Sequence, residues 1–141
     1  MNTRLFLGVM FAAGFAMSSH AETVKFHTLL SASAEVPPTK SHGAGEATAT
    51  LDTVTHQLTY DVTFQGFSSA VTMAHFHGPA AMGVNAGVQV PLGDAPTSPI
   101  HGTKTLSDEQ QKQLLAGQWY ANVHTSNNPK GAIRGQMLQV P

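Results

Sequence analysis

The chain contains no cysteine. Disulfides and thiolate metal sites are both excluded, so any metal must be held by histidine, methionine, carboxylate or backbone ligands. Charge is also scarce, at 11% of residues. There is no basic block and no interleaving of basic with aromatic residues, which argues against a nucleic-acid-binding surface or a polybasic membrane patch. The sequence shows no internal repeat and no low-complexity tail. Its one long apolar run, Leu5 to Met17, is too short to span a bilayer.

That run has the organisation of a targeting segment. Arg4 supplies a positive start, and Ser19-His20-Ala21 places small residues at the two positions that signal peptidase reads. Residues 1–21 are therefore expected to be a signal peptide cleaved after Ala21, leaving a domain over 22–141 without a membrane anchor. The expected location is periplasmic or secreted. About 120 residues make one domain with a real core.

Period-two alternation dominates the rest of the chain. Leu58, Tyr60, Val62 and Phe64 alternate with Thr59, Asp61, Thr63 and Gln65, the signature of a half-buried strand. Further strands are expected at Thr23–Ser33, Ala47–Leu51, Val71–His77, Gly87–Leu92, Ile100–Leu106, Trp119–His124 and Ala132–Val140. Pro37-Pro38 bars a central strand, because two consecutive backbone donors are missing. One helix is expected after Ser107, where Gln110 completes a Ser-x-x-Gln capping box and Gly117 offers a stop. Short strands at this spacing predict an all-β fold: an antiparallel Greek-key sandwich or flattened barrel with one short helix.

Chemistry concentrates in the histidines. In Ala74-His75-Phe76-His77-Gly78, strand alternation puts His75 and His77 on one face and Ala74 and Phe76 on the other. Same-face neighbours lie roughly 6–7 Å apart along the backbone, a gap that two imidazoles close onto one cation with bonds of about 2 Å. Val71 and Met73 are expected on the histidine face, so that face is not plainly solvated. His124 occupies a second strand, sharing its face with Tyr120 and Asn122. His101 follows the long loop after Pro99 and is a candidate fourth ligand, with His42 or a methionine as alternatives. His27, His42 and His56 read as structural or solvent-exposed.

Met73 and Met82 are soft donors suited to Cu(I), although methionine more often fills gaps in a core. Arg134 has two readings. It can hold an anion beside a metal through its fork of donors, or form a structural ion pair with Glu35 or Asp61. Gln136 shares its strand face and could support the site.

Four stretches carry a resemblance: Leu30-Ser31-Ala32-Ser33-Ala34-Glu35-Val36-Pro37-Pro38, Ala74-His75-Phe76-His77-Gly78-Pro79, Leu114 through Thr125, and Asn128 through Gln136. In that order they make the chain similar to the CHRD domain, the module named after chordin, which occurs in extracellular proteins of very different kinds. A second resemblance, on fewer residues, is to copper-containing superoxide dismutases. Those are Greek-key barrels whose copper sits on a His-x-His pair, a loop histidine and a late-strand histidine, with an arginine guiding the substrate anion. His75, His77, His101, His124 and Arg134 stand here in the corresponding order. The disulfide cysteines and the histidine cluster for zinc are missing, so the resemblance implies a copper-only site.

The expectation is one copper ion on His75, His77 and His124, with His101 as fourth ligand and Arg134 serving a small anion such as superoxide. Imidazole with an open position suits Cu(II)/Cu(I) cycling, and zinc is the main competitor. A copper buffer or delivery protein and a metal-free interaction module are the alternatives to a dismutase. Nothing in the chain indicates its oligomeric state.

Overall fold

The computed structural model describes residues 22–141, so the expected signal peptide over 1–21 lies outside the described residues. Nine strands and one helix follow in order: β1 (Thr23–Leu30), β2 (Ala44–Asp52), β3 (Gln57–Gln65), β4 (Val71–His77), β5 (Val88–Asp94), β6 (Ile100–Thr105), α1 (Asp108–Leu115), β7 (Tyr120–Thr125), β8 (Asn128–Gln136) and β9 (Leu138–Val140). They form two antiparallel sheets, ordered β6-β3-β2-β1-β9 and β5-β4-β7-β8. Both sheets are open, so the fold is the expected all-β sandwich and not a barrel. Among the described residues no helix is long and apolar enough to cross a membrane.

The core lies between the sheets and is built by alternation. β3 turns Leu58, Tyr60 and Val62 inward and leaves Thr59, Asp61 and Thr63 outward. β2 presents Ala47, Ala49 and Leu51, and these small side chains let the opposite sheet come close. From that sheet come Ala74, Phe76, Ala121, Val123 and Ile133. Tyr60 meets Phe76 edge to face, with ring centroids 5.5 Å apart, and Trp119 stacks on Phe76 at 6.2 Å. Phe76 therefore joins the two sheets at the strand that also carries His75 and His77.

The helix begins as its sequence dictates. Ser107 accepts from the Gln110 backbone, and the Gln110 side chain accepts from the Ser107 backbone. Gly117 leaves the helix in the left-handed region, at φ 69°.

Two expectations change. The closing run is two strands, not one. Met137 is fully buried and its N–H donates to the Trp119 carbonyl, which ends β8 in one sheet and sends β9 to the edge of the other. The opening strand ends at Leu30, not Ser33. Ser31 exchanges both backbone hydrogen bonds with Arg134, at 3.0 and 3.2 Å. A single 3₁₀ turn at Ala32–Ala34 then carries the chain past the β8 edge. This crossing delivers Glu35, Val36 and the two prolines to the outer side of the four-stranded sheet, where Glu35 meets Arg134 and Asn122.

Replacing Phe76 with alanine is expected to cost about 3–5 kcal/mol of unfolding free energy, from lost burial plus the cavity left behind. Urea denaturation of the metal-free protein measures it.

Candidate metal centre

The outer face of the β5-β4-β7-β8 sheet is polar in sequence yet mostly shielded from water. Three cross-strand rows organise it. Met73 pairs with His124; His75 pairs with Asn122 and on to Arg134; His77 pairs with Tyr120 and on to Gln136. Glu35, His77, Asn122, His124, Arg134 and Gln136 are all buried. Segments from residues 35–39, 84–86 and 127–131 gather around this face.

The structure brings His75, His77 and His124 together. One ligand nitrogen from each lies within 4.8 Å of the others. His75 Nδ1 stands 3.1 Å from His124 Nε2. Two nitrogens on one cation, with bonds of about 2 Å, sit roughly 3.3 Å apart in tetrahedral geometry. The His75–His124 pair already stands close to that spacing.

Backbone carbonyls set the ring tautomers. His77 Nδ1 donates to the Ala86 carbonyl at 2.9 Å, and His124 Nδ1 donates to the Pro129 carbonyl at 3.0 Å. A carbonyl can only accept, so in the neutral form of each ring it is Nε2 that carries the lone pair. His124 Nε2 uses its lone pair to accept from His75 Nδ1. His77 Nε2 is buried and has no partner, and a buried acceptor without a partner is costly. Two imidazoles oriented by carbonyls, with their second nitrogens facing one point, form the arrangement in which a transition metal is held. The donor set fits copper or zinc.

The surroundings favour neutral imidazole. Burial, the largest cause, pushes the His77 pKa down from 6.5 to about 4; the Ala86 hydrogen bond opposes it, while His75, His124 and Arg134 add to the depression. His75 is also lowered, first by burial and then by His124, with Asp94 acting in the other direction. His75 and His77 therefore both hold a proton more weakly than a free imidazole does.

Tyr120 and Arg134 brace the site from the side. The His77 ring stacks on Tyr120 with centroids 4.9 Å apart and planes 3° from parallel. The Arg134 guanidinium carbon lies 4.2 Å from the Tyr120 centroid. The Tyr120 hydroxyl donates to the same Ala86 carbonyl that His77 uses, and it accepts from the Ala86 N–H. Arg134 Nε donates to Glu35 at 2.9 Å, Nη2 to Asn85, and Nη1 to the Val84 carbonyl. Glu35 also accepts from Asn122. Gly131 is required beside this network, because a Cβ there would stand 2.7 Å from Glu35 Oε1 and 2.8 Å from the Asn122 amide. A cleft of about 450 Å³ opens beside His77, Tyr120 and Arg134, between the Glu35–Thr39 and Asn127–Gly131 segments.

Not every candidate arrives. His101 lies on β6, in the other sheet, exposed and hydrogen-bonded to Asp61. It is not a fourth ligand, because the long loop returns the chain to the sheet opposite the one that carries the triad. His42 is exposed before β2 and is also outside the cluster. His27 pairs with Glu46 and His56 with Asp108, in keeping with structural roles. Arg134 realises the ion-pair reading, with Glu35 as partner and not Asp61. Gln136 donates to the Ala80 and Gly117 carbonyls and so ties down the connection after β4 instead of contacting the histidines.

The alternation argument fails at one residue. β4 carries a bulge between Val71 and Met73, and a bulge shifts the facing of one side of a strand relative to the other. Val71 packs against the core, while Met73, also half-buried, remains outside it on the histidine face. The gap-filling role expected for Met73 in the core is not the one it has. Sequence reasoning also missed Tyr120 as the platform under His77 and Ala86 and Pro129 as the carbonyls that orient the rings. Only the Tyr120 placement had a signal, its shared face with His124.

An open β-sandwich with three histidines on the covered outer face of one sheet is thus the class of protein that the structure defines. The CHRD domain model matches residues 26–137, and the chain belongs to that family. No curated protein and no solved structure matches the chain.

Two outcomes follow. Glu35→Ala leaves the Arg134 charge buried without its partner and is expected to cost about 3–5 kcal/mol. The double variant Glu35→Ala/Arg134→Met should recover much of that loss in the same urea titration. For the second, His77 in the folded metal-free protein binds its proton more weakly than in the unfolded chain. Its contribution to stability is complete above pH 6.5 and is lost as pH falls toward about 4. The melting temperature of metal-free protein should drop across that window, and His77→Gln should flatten the drop.

Proposed function

We propose that this chain is an exported copper-binding protein that holds one copper ion on His75, His77 and His124. The observation that carries the reading is the buried, partnerless Nε2 of His77, aimed into a cluster whose other two nitrogens are 3.1 Å apart. Copper outranks zinc for nitrogen donors in the intrinsic affinity order. The targeting segment read in residues 1–21 fits a protein metallated outside the cytoplasm.

Copper, when bound, supplies one-electron chemistry. The residues around it supply the rest. Ala86 and Pro129 orient two of the ligands, Tyr120 supports the His77 ring, and the Glu35–Arg134–Asn122 network keeps the adjoining segments in place. Three protein ligands leave room for a small anion, and superoxide is the substrate that such a site could turn over. The Arg134 charge is offset by Glu35 and its donors are engaged, so Arg134 acts here by positioning Tyr120 and the Asn85 segment more than by attracting the anion. Without turnover, the same site serves a copper buffer or carrier.

Copper titration with EPR is expected to show one Cu(II) per chain with nitrogen superhyperfine structure. His75→Ala, His77→Ala and His124→Ala should each weaken binding at least tenfold. Tight one-to-one zinc binding with only weak copper binding would overturn the copper reading. Superoxide consumption by the loaded protein, above that of an equal amount of free copper and absent in His124→Ala, would establish the dismutase. Full loading without such activity would establish the buffer or carrier.

A further inference from the structure

The triad leaves a coordination position open, and His101 does not fill it. The sheet itself offers another donor. Met73 is two residues before His75 on β4, as His77 is two residues after it, and no register shift intervenes between Met73 and His75 along β7. Its side chain therefore emerges on the histidine face. Across the strands Met73 pairs directly with His124, and directly opposed Cβ atoms lie about 4.5–5.5 Å apart. The metal position implied by the three rings is next to the His75 row. His77 approaches it from one neighbouring row, and Met73 occupies the other.

Three further facts point the same way. Met73 is half-buried but is not packed against the hydrophobic core, so ordinary gap-filling does not account for it. The bulge just before it separates its facing from that of Val71, which does pack on the core. Bulges are common where a strand re-aims a side chain beside a functional site. The competing donor in the same row, Asp94, is exposed and lies outside the cluster of nitrogens.

We propose that the Met73 thioether is the fourth copper ligand, completing a three-nitrogen, one-sulfur site biased toward Cu(I). The proposal rests on the copper reading above. Three rotatable bonds let the unbranched side chain bring its sulfur to the ion, and a soft thioether favours the cuprous state over the cupric and over zinc. Met82 has no such placement; it is 71% exposed on the loop after β4 and faces a different cleft, beside His27 and Leu29.

The test is X-ray absorption on protein loaded with Cu(I) under ascorbate, paired with competition titrations for Cu(I) and Cu(II). Wild type is expected to show one sulfur scatterer beside nitrogen. Met73→Leu, which keeps the volume, should lose the sulfur signal and weaken Cu(I) binding at least tenfold while changing Cu(II) affinity less than threefold. Met82→Leu should match wild type. A nitrogen-and-oxygen-only shell in the wild type, or equal loss of both affinities in Met73→Leu, would overturn the proposal while leaving the three-histidine site intact. Failure of wild type to bind copper at all would instead remove the reading on which the proposal rests.

Discussion

The buried ion pair between Glu35 and Arg134 is the contact on which the surroundings of the histidine cluster depend. It links the segment after β1 to the far strand of the four-stranded sheet, across 99 residues of sequence. A sheet face carrying His, Asn, Tyr, Arg and Gln would ordinarily look into water. Here chain segments cover it, so each polar group needs a partner within the protein. Glu35 takes Arg134 and Asn122, Arg134 takes Asn85 and Val84, and Gln136 takes two carbonyls. A buried pair of this kind is not strong evidence for stability, because desolvation opposes its attraction. What it does here is hold two loops in one arrangement.

The histidines are different because their partners are incomplete. Two ring nitrogens are fixed by carbonyls, which leaves the opposite nitrogens facing inward with lone pairs. One of them, on His77, meets nothing. Two carbonyl-anchored rings, one lone pair without a partner and restricted water access together describe a cluster fit to hold a cation. Stacking on Tyr120 limits the motion of His77, and Tyr120 is held in turn by Ala86 and flanked by Arg134. A disturbance at Glu35 can therefore reach the histidine cluster through direct contacts, passing from Arg134 to Tyr120 and on to His77.

Much of this was readable from residue order. Alternation in Leu58–Gln65 and Val71–His77 located strands correctly, and the Ser107/Gln110 box located the helix start. The His-x-His spacing put His75 and His77 on one face, and the shared face of Tyr120, Asn122 and His124 was correct. The failures share a cause. The common facing of Val71 and Met73 was wrong, because a bulge between them interrupts the alternation and has no residue signature there. The fourth-ligand role for His101 failed because spacing across a long loop carries no information on which sheet the chain will rejoin. The single closing strand failed because nothing in Gln136-Met137-Leu138 marks a change of sheet.

Local chemistry, then, settled most of the elements and named the candidate donors. With no cysteine, thiolate ligation is excluded, and period two decides which side chains share a face, because both depend only on residue type and near neighbours. Convergence was a different matter. That His124 meets His75 from 49 residues away, that Ala86 and Pro129 choose the tautomers, and that His101 is carried to the other sheet all follow from strand order and register. Those are set by the packing of two whole sheets against one core, a property of the entire chain that no single segment encodes.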